Sequence, residues 1–322
     1  VIFGKAMPFT AATTGGDDTN VPSPVDDVTS EYETWDAMIA GKKLPATDTS
    51  YSIPRRDWAN NTTYDMYEHN ISTLNVTTSG ASNLWNSTFY FKTSDNRVYK
   101  VLNNNGGVAY SGAEPTSEST SSFSIGGYVL KYMYTISASQ QSKFVTTDFM
   151  PVSTDSTVSA AAVAGKIESL IITSGSGYTN GTYYAAVYGD GTNAGTSSGA
   201  VVRITVTGNV IQSFGLTAGT NTSIHIGGVA YTYGSVNLSA GYTFSDASLS
   251  TAAAMGGVGG NVQVIVSPNG GHGDDPISEL GGNYVVMNSQ FIGAERDDLL
   301  TGNDFRAISI VSDPTTFGTS TI

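Results

Sequence analysis

Between Thr154 and Gly260 glycine returns every few residues, and ionised side chains all but vanish. Lys166 and Arg203 are the bases of this stretch, and Asp155, Glu168, Asp190 and Asp246 its acids. Glycine takes up the positive φ of tight turns at no steric cost, so such a chain reads as short strands entering glycine turns. A weak internal echo supports this. Lys166-Ile-Glu-Ser-Leu-Ile-Ile-Thr-Ser-Gly lies over Val210-Ile-Gln-Ser-Phe-Gly-Leu-Thr-Ala-Gly, each a short strand running into a turn. Gly208-Asn209 and Gly227-Gly228 are predicted two-residue hairpin turns. The spacing is too irregular for a solenoid.

The whole chain shares this bias more mildly. Its 322 residues include 37 glycines, 13% charged residues and no cysteine, with a net charge of −13. That length exceeds the ~250–300 residues at which single cores stop growing, so two domains are expected. Disulfides and thiolate metal sites are excluded, which fits assembly in a reducing cytoplasm. The negative charge argues against nucleic acid and against an anionic membrane surface. No apolar run approaches the ~20 residues that span a bilayer, and no basic-then-apolar secretion signal is expected at the N-terminus.

Residues 10–30 read as an irregular lead-in. Residues 30–43 predict a helix: Ser30 and Glu33 form a capping box, Tyr32, Trp35, Met38 and Ile39 share a face, and Gly41 stops it before Lys42 and Lys43. Residues 88–93 and 97–102 predict a hairpin around Ser94-Asp95-Asn96. Residues 128–136 alternate, with Tyr128, Leu130, Tyr132, Tyr134 and Ile136 on an aromatic face and Lys131, Met133 and Thr135 opposite. Residues 111–122 are a polar loop. Strands are also predicted at 262–267, 284–288 and 306–314. The fold class is therefore mainly β, two β-sheet or sandwich domains with one short N-terminal helix. A discontinuous domain of 1–153 plus 261–322 carries the glycine-rich domain 154–260 as an insertion, and the tail is expected to return to the first domain's sheet.

Chemistry is harder to find. His69, His225 and His272 are scattered and form no metal-binding pair. His225 alternates with Ile224 and Ile226 and so points away from the apolar face of its strand. Asp274 and Asp275, in 271-GHGDDP-276, have the oxygen chemistry of a calcium site, but an Asx-type turn explains them more simply. Gly189-Asp190-Gly191 lacks the register of a calcium loop. No acid pair is singled out for glycoside hydrolysis, and no G-x-S-x-G elbow, Walker loop or dinucleotide fingerprint occurs. No cofactor and no metal are expected, nor is the chain expected to be an enzyme.

One cluster stands out in so base-poor a chain, 53-IPRRDW-58. Pro54 holds Ile53 extended. Arg55 and Arg56 are neighbours on extended chain and point opposite ways, so they cannot clamp one phosphate. One is expected to pair internally, with Asp57, while the other faces a partner, because Trp and Arg are the residues enriched at interface hot spots. An internal ion pair beside a buried Trp58 is the competing reading. Arg55, Arg56, Asp57 and Trp58 are thus the leading interface candidates, with His272, Asp274 and Asp275 second.

Several stretches, in order, resemble a known family: 1-VIFGKAMPF-9, 33-ETWDAMI-39 followed by 42-KKLP-45, 53-IPRRDW-58, 128-YVLKYMYTI-136 and 305-FRAISIVSDP-314. They are similar to the baseplate wedge protein of T-even-like contractile-tailed phages, the product of gene 8. Runs such as 271-GHGDDPISELGG-282 and 300-LTGNDFRAISI-310 look like the versions in cyanophage-type relatives. The likeness covers the first ~150 and last ~60 residues, and the glycine-rich middle departs from it. It implies an all-β homodimer within each wedge of the virion's tail baseplate, put together in the host bacterial cytoplasm. Its implied partners are the neighbouring wedge proteins, the products of genes 6, 7 and 10, and it implies neither catalytic residues nor a cofactor. The competing expectation is a carbohydrate-binding adhesin or tail-fibre module. That would stack sugars on Tyr178, Tyr183, Tyr184, Tyr231 and Tyr233, residues that cross-strand packing explains more simply.

Overall fold

The computed structural model describes residues 1–4, 32, 35–36, 38–196, 198–240, 249–289, 308–311, 315 and 317–320. They divide into two compact units, Val1–Thr49 with Met287–Ile322, and Ser50–Val286. The boundaries expected after 153 and after 260 both fall inside the second unit. There, residues between them supply most of one of its two hydrophobic cores.

In the first unit, strand Ile2–Gly4 lies between Met38–Gly41 and Ile308–Ser309, antiparallel to both. The N-terminal ammonium of Val1 donates to the Lys42 carbonyl at 2.8 Å, and the Lys42 N–H returns to Val1 at 2.9 Å. This pairing corrects the helix predicted over 30–43. Tyr32, Trp35 and Asp36 are helical, but by Met38 the chain is a strand. Local propensity is a weak preference, and a strand partner at Ile2–Gly4 overrides it. The capping pair Ser30 and Glu33, and the lead-in at 10–30, lie outside the described residues.

The second unit is mainly β and holds four sheets. One runs in the order Tyr90–Lys92, Arg97–Asn103, Tyr128–Thr135, Phe123–Ile125, antiparallel throughout. Its first turn is the hairpin read from sequence: Asn96 sits at φ 62 and its N–H reaches the Thr93 carbonyl at 3.0 Å. The 111–122 segment is irregular, as expected, and is fastened by its acids. Glu114 accepts from Ser94, and Glu118 from Arg97 at 2.7 Å. The Tyr128–Thr135 strand departs from its prediction. Both of its faces are covered, not the aromatic one alone, with Met133 fully buried and Lys131 only 2% exposed. The Lys131 ammonium survives there by donating to the Thr120 carbonyl.

A second sheet places Thr49–Pro54 between Phe149–Pro151 and Tyr284–Met287. The third is a long antiparallel pair, Ile167–Tyr178 with Gly256–Val266. In the fourth, Val201–Thr207 pairs with Gly181–Gly189, Val210–Ile211 and Ser223–Ile226, while Gly234–Val236 pairs with Gly181–Gly189. Gly208 and Asn209, at φ 65 and 62, form the tight turn predicted for them. Gly227-Gly228 does not: the chain crosses from Ser223–Ile226 to a strand in a different place, because Gly227 gives its carbonyl to Ile167 at 2.9 Å. The echo between 166–175 and 210–219 is equally partial, since its second copy holds a strand of only Val210–Ile211.

Two cores result. The first gathers Tyr64, Phe91, Tyr99, Tyr110, Tyr128 and Tyr134 among others, and the second mostly Val, Ile and Ala with Tyr178 and Tyr231. Three strands serve both, giving Val101, Leu130 and Ile265 to the first core and Leu102, Val129, Val264 and Val266 to the second. Three short helices fill the corners: Ala138–Phe144, capped by Ser137; Ser156–Ala160, capped by Asp155; and Pro276–Leu280, capped by Asp275.

Candidate functional site

The 53-IPRRDW-58 segment leaves the edge of a strand and runs beside Lys92. Backbone bonds join Lys92 to Arg56 at 2.7 Å and Trp58 to Lys92 at 2.8 Å. The arginines diverge as extended chain requires. Arg55 grips Asp57 with Nε at 3.0 Å and Nη2 at 2.8 Å from Oδ2, and gives Nη1 to the Thr146 carbonyl at 3.0 Å. Asp57 also lies 3.4 Å from the Lys92 ammonium. Burial works against the Asp57 charge, but Arg55 and Lys92 outweigh it and hold the carboxyl below its ordinary range. Arg56 turns inward, its guanidinium 4.3 Å from the centre of the Tyr90 ring and Nη2 bonded to the Trp85 carbonyl at 3.0 Å. Trp58 packs edge-on against Tyr110 at 5.8 Å, at the margin of the first core. All four side chains therefore have company within the chain. Among them Asp57 is the most open, its side chain 50% exposed.

The 272–275 loop divides. His272 is buried, edge-on to Tyr67 at 5.1 Å, so as the protein stands it offers no surface for contact. Burial, assisted by Lys100, Lys131 and Lys166, holds its imidazole well below the ordinary pKa and hence neutral. Asp274 accepts from the Ser159 hydroxyl at 3.3 Å. Asp275 caps the Pro276–Leu280 helix, accepting from the Ile277 and Ser278 amides at 3.1 and 3.3 Å. Asp275 thus does the local work of a turn, whereas the Asp274 carboxylate ties to a residue far along the chain. Asp190 also bonds at long range, accepting from the Thr232 amide at 2.9 Å.

What sequence reasoning missed lies beneath this loop. Lys100, wholly buried, makes an ion pair with Glu279 at 2.8 Å and sits 4.0 Å from the centre of the Tyr67 ring. The other Glu279 oxygen accepts from the Gly273 amide at 2.6 Å. The faint signal was a lysine placed among apolar residues in a strand, 97-RVYKVL-102. Above the pair opens a cleft of about 540 Å³, walled by Tyr67, Glu68, Trp85, Asp274, Asp275 and Glu279 among others. Glu68 is only 8% exposed and accepts one hydrogen bond, from the Asn75 amide at 3.2 Å. Burial raises its pKa.

The tyrosines named for sugar stacking sort by burial. Tyr178, Tyr183 and Tyr231 belong to the second core. Tyr184 lies edge-on to the exposed His225 at 5.0 Å, and Tyr233 is 61% exposed. No family model, curated protein or solved structure matches this chain.

Proposed function

We propose that the protein is a structural subunit of a contractile phage tail baseplate wedge, acting in assembly and host attachment through protein–protein contacts and without catalysis. Its partners are a second copy of itself and the neighbouring wedge proteins, those resembling the products of genes 6, 7 and 10. Its place is the tail baseplate of the virion. The observation that carries this reading is the bracing of 53-IPRRDW-58, one of the two most specific family-like stretches. Each charged side chain in it bonds within the chain itself, which suits a rigid, preformed surface better than a reactive centre. The exposed side of the Arg55–Asp57 pair is where a partner would meet it.

Light scattering on a sizing column tests the proposal. A dimer supports it, and mixing in the adjacent wedge proteins should then give a larger complex that Arg55→Ala/Asp57→Ala weakens. A trimer favours a fibre or adhesin module, for which exposed Tyr233 is the starting point and a glycan array the check. Failure to join any wedge complex would overturn the reading.

A further inference from the structure

We propose that the cleft between Glu68 and Trp85 receives a basic side chain, arginine or lysine, from a neighbouring protein subunit. This rests on the assembly reading above and names the chemistry of one contact.

Among the described residues four carboxylates and His69 line the cleft, and neither lysine nor arginine does. His69 brings no cation there, since its Nδ1 accepts from the Val266 amide at 3.3 Å and burial lowers its pKa. Three of the four are already committed: Asp275 to its helix cap, Asp274 to Ser159, and Glu279 to Lys100 and the Gly273 amide. Lys100 is sealed away with no exposed surface, so it neutralises Glu279 without covering the cleft. Glu68 is different. It is buried to more than nine-tenths, and among the described residues no cation pairs with it and its Oε1 accepts no hydrogen bond, Oε2 alone being held by the Asn75 amide. A carboxylate taken out of water without a countercharge is unfavourable, and a cation brought to it is bound correspondingly well.

Trp85 lines the cleft and is 38% exposed, and indole is the preferred aromatic partner of a guanidinium or ammonium. Leu84, Ile71 and Pro268 complete the wall and suit the methylene stem of the same side chain. The cleft's volume takes a side chain with its flanking backbone. A divalent cation fits less well, because no three acids or histidines among the described residues converge as a metal requires. Since ionised Glu68 is the acceptor, binding should strengthen as pH rises through its titration.

The test titrates the full chain with three capped tripeptides, acetyl-Gly-Xaa-Gly-amide, where Xaa is arginine, lysine or uncharged citrulline, reading the heat of binding by calorimetry. Saturable binding is expected for arginine and lysine, at least tenfold weaker for citrulline, and weakened at high salt. Glu68→Gln should weaken arginine binding about tenfold, and Trp85→Leu, at an exposed position, should weaken it independently should Glu68→Gln fail to fold. Equal binding of citrulline, absence of saturable binding up to tens of millimolar, or saturation by methyl glycosides instead would overturn the inference. A dimer that joins wedge complexes yet ignores the tripeptides sinks this inference alone. Tripeptide binding by a chain that joins no wedge complex sinks the wedge reading while keeping the cleft's preference for cations.

Discussion

The two cores of the second unit are filled by different means. In the first, ten of the twenty-two buried members are tyrosine or phenylalanine, and their hydroxyls reach out to tie down loops: Tyr90 to the Pro54 carbonyl, Tyr99 to Ser117, Tyr110 to Ala113 and Tyr128 to Val108, at 2.7–2.9 Å. In the second, only four of twenty are aromatic, and two of those sit in slots cut by glycine. A Cβ on Gly257 would overlap the Tyr178 ring, and one on Gly191 would overlap Tyr231. The difference is one of weight, since Tyr178 and Tyr231 also accept from the Gly260 and Ala200 amides at 2.9 and 3.0 Å, and Tyr110 of the first core has its own glycine slot at Gly126. Aromatic surface with its hydroxyl bonds fills most of the first core, and aliphatic packing with rings fitted between glycines fills the second.

The sharpest way to break this contrast is at Lys100, which lies against Tyr67 of the first core. Lys100→Met strands Glu279 without its cation and should cost about 3–5 kcal/mol by urea unfolding. Lys100→Met with Glu279→Leu should recover most of that, leaving chiefly the Gly273 amide unpaired. If the double variant is no better than the single, pairing is not what the first core depends on.

The corresponding probe of the second core is Gly257→Ala. It adds a methyl where φ is 78 and the Tyr178 ring already fills the space, and should cost roughly 1–3 kcal/mol. In a Tyr178→Leu background the penalty should shrink, the mark of direct coupling. Additive effects would refute the slot.

Asp65 sharpens the first core's polar side. It is 1% exposed and accepts from the amides of Ser79 and Thr88 at 2.7 and 2.8 Å. Burial opposes its ionisation, but these bonds prevail and hold its carboxyl below the usual range. A depressed folded pKa means stability is fully present above the unfolded pKa, near ~4, and is lost as pH falls through the lower folded value. Asp65→Asn should therefore flatten the acid limb of urea midpoint against pH, at a cost of about 1–2 kcal/mol at neutral pH. An unchanged acid limb would count against it.

The smallest effects are at the first core's rim. Arg56→Ala should cost about 1–2 kcal/mol through loss of its Tyr90 and Trp85 contacts. Arg55→Ala, at a partly exposed ion pair, should cost under about 1. The reverse order in thermal melts would show that Arg55, not Arg56, is the structural member of the pair.

Much of this was legible in sequence where local rules govern. The 94–96 hairpin, the Gly208-Asn209 turn, the opposed arginines and the bonding of Asp275 to nearby amides all follow from turn chemistry or strand alternation, whereas the Pro276–Leu280 helix that Asp275 caps was not foreseen. Where distant chain decided, the sequence misled. Met38–Gly41 became a strand because Ile2–Gly4 pairs with it, and Gly227 was taken by Ile167. Tyr128–Thr135 looked one-sided because Lys131 and Thr135 are polar, yet on that side Val129 enters the second core and Met133 the first. The cleft was invisible for the same reason: Glu68, Trp85 and Glu279 are far apart in the chain and meet only in the fold.

The strands that feed both cores have a mechanical meaning. Because neighbouring side chains of Arg97–Asn103, Tyr128–Thr135 and Gly256–Val266, such as Val101 and Leu102, Val129 and Leu130, and Val264 and Ile265, are anchored in different cores, neither core can slide or melt without dragging the other's backbone. Such a body has no internal hinge along those strands. A push delivered at one face would arrive at the other as displacement of the whole, with little dissipated in bending between, and the amides of these three strands should exchange with solvent only in global unfolding.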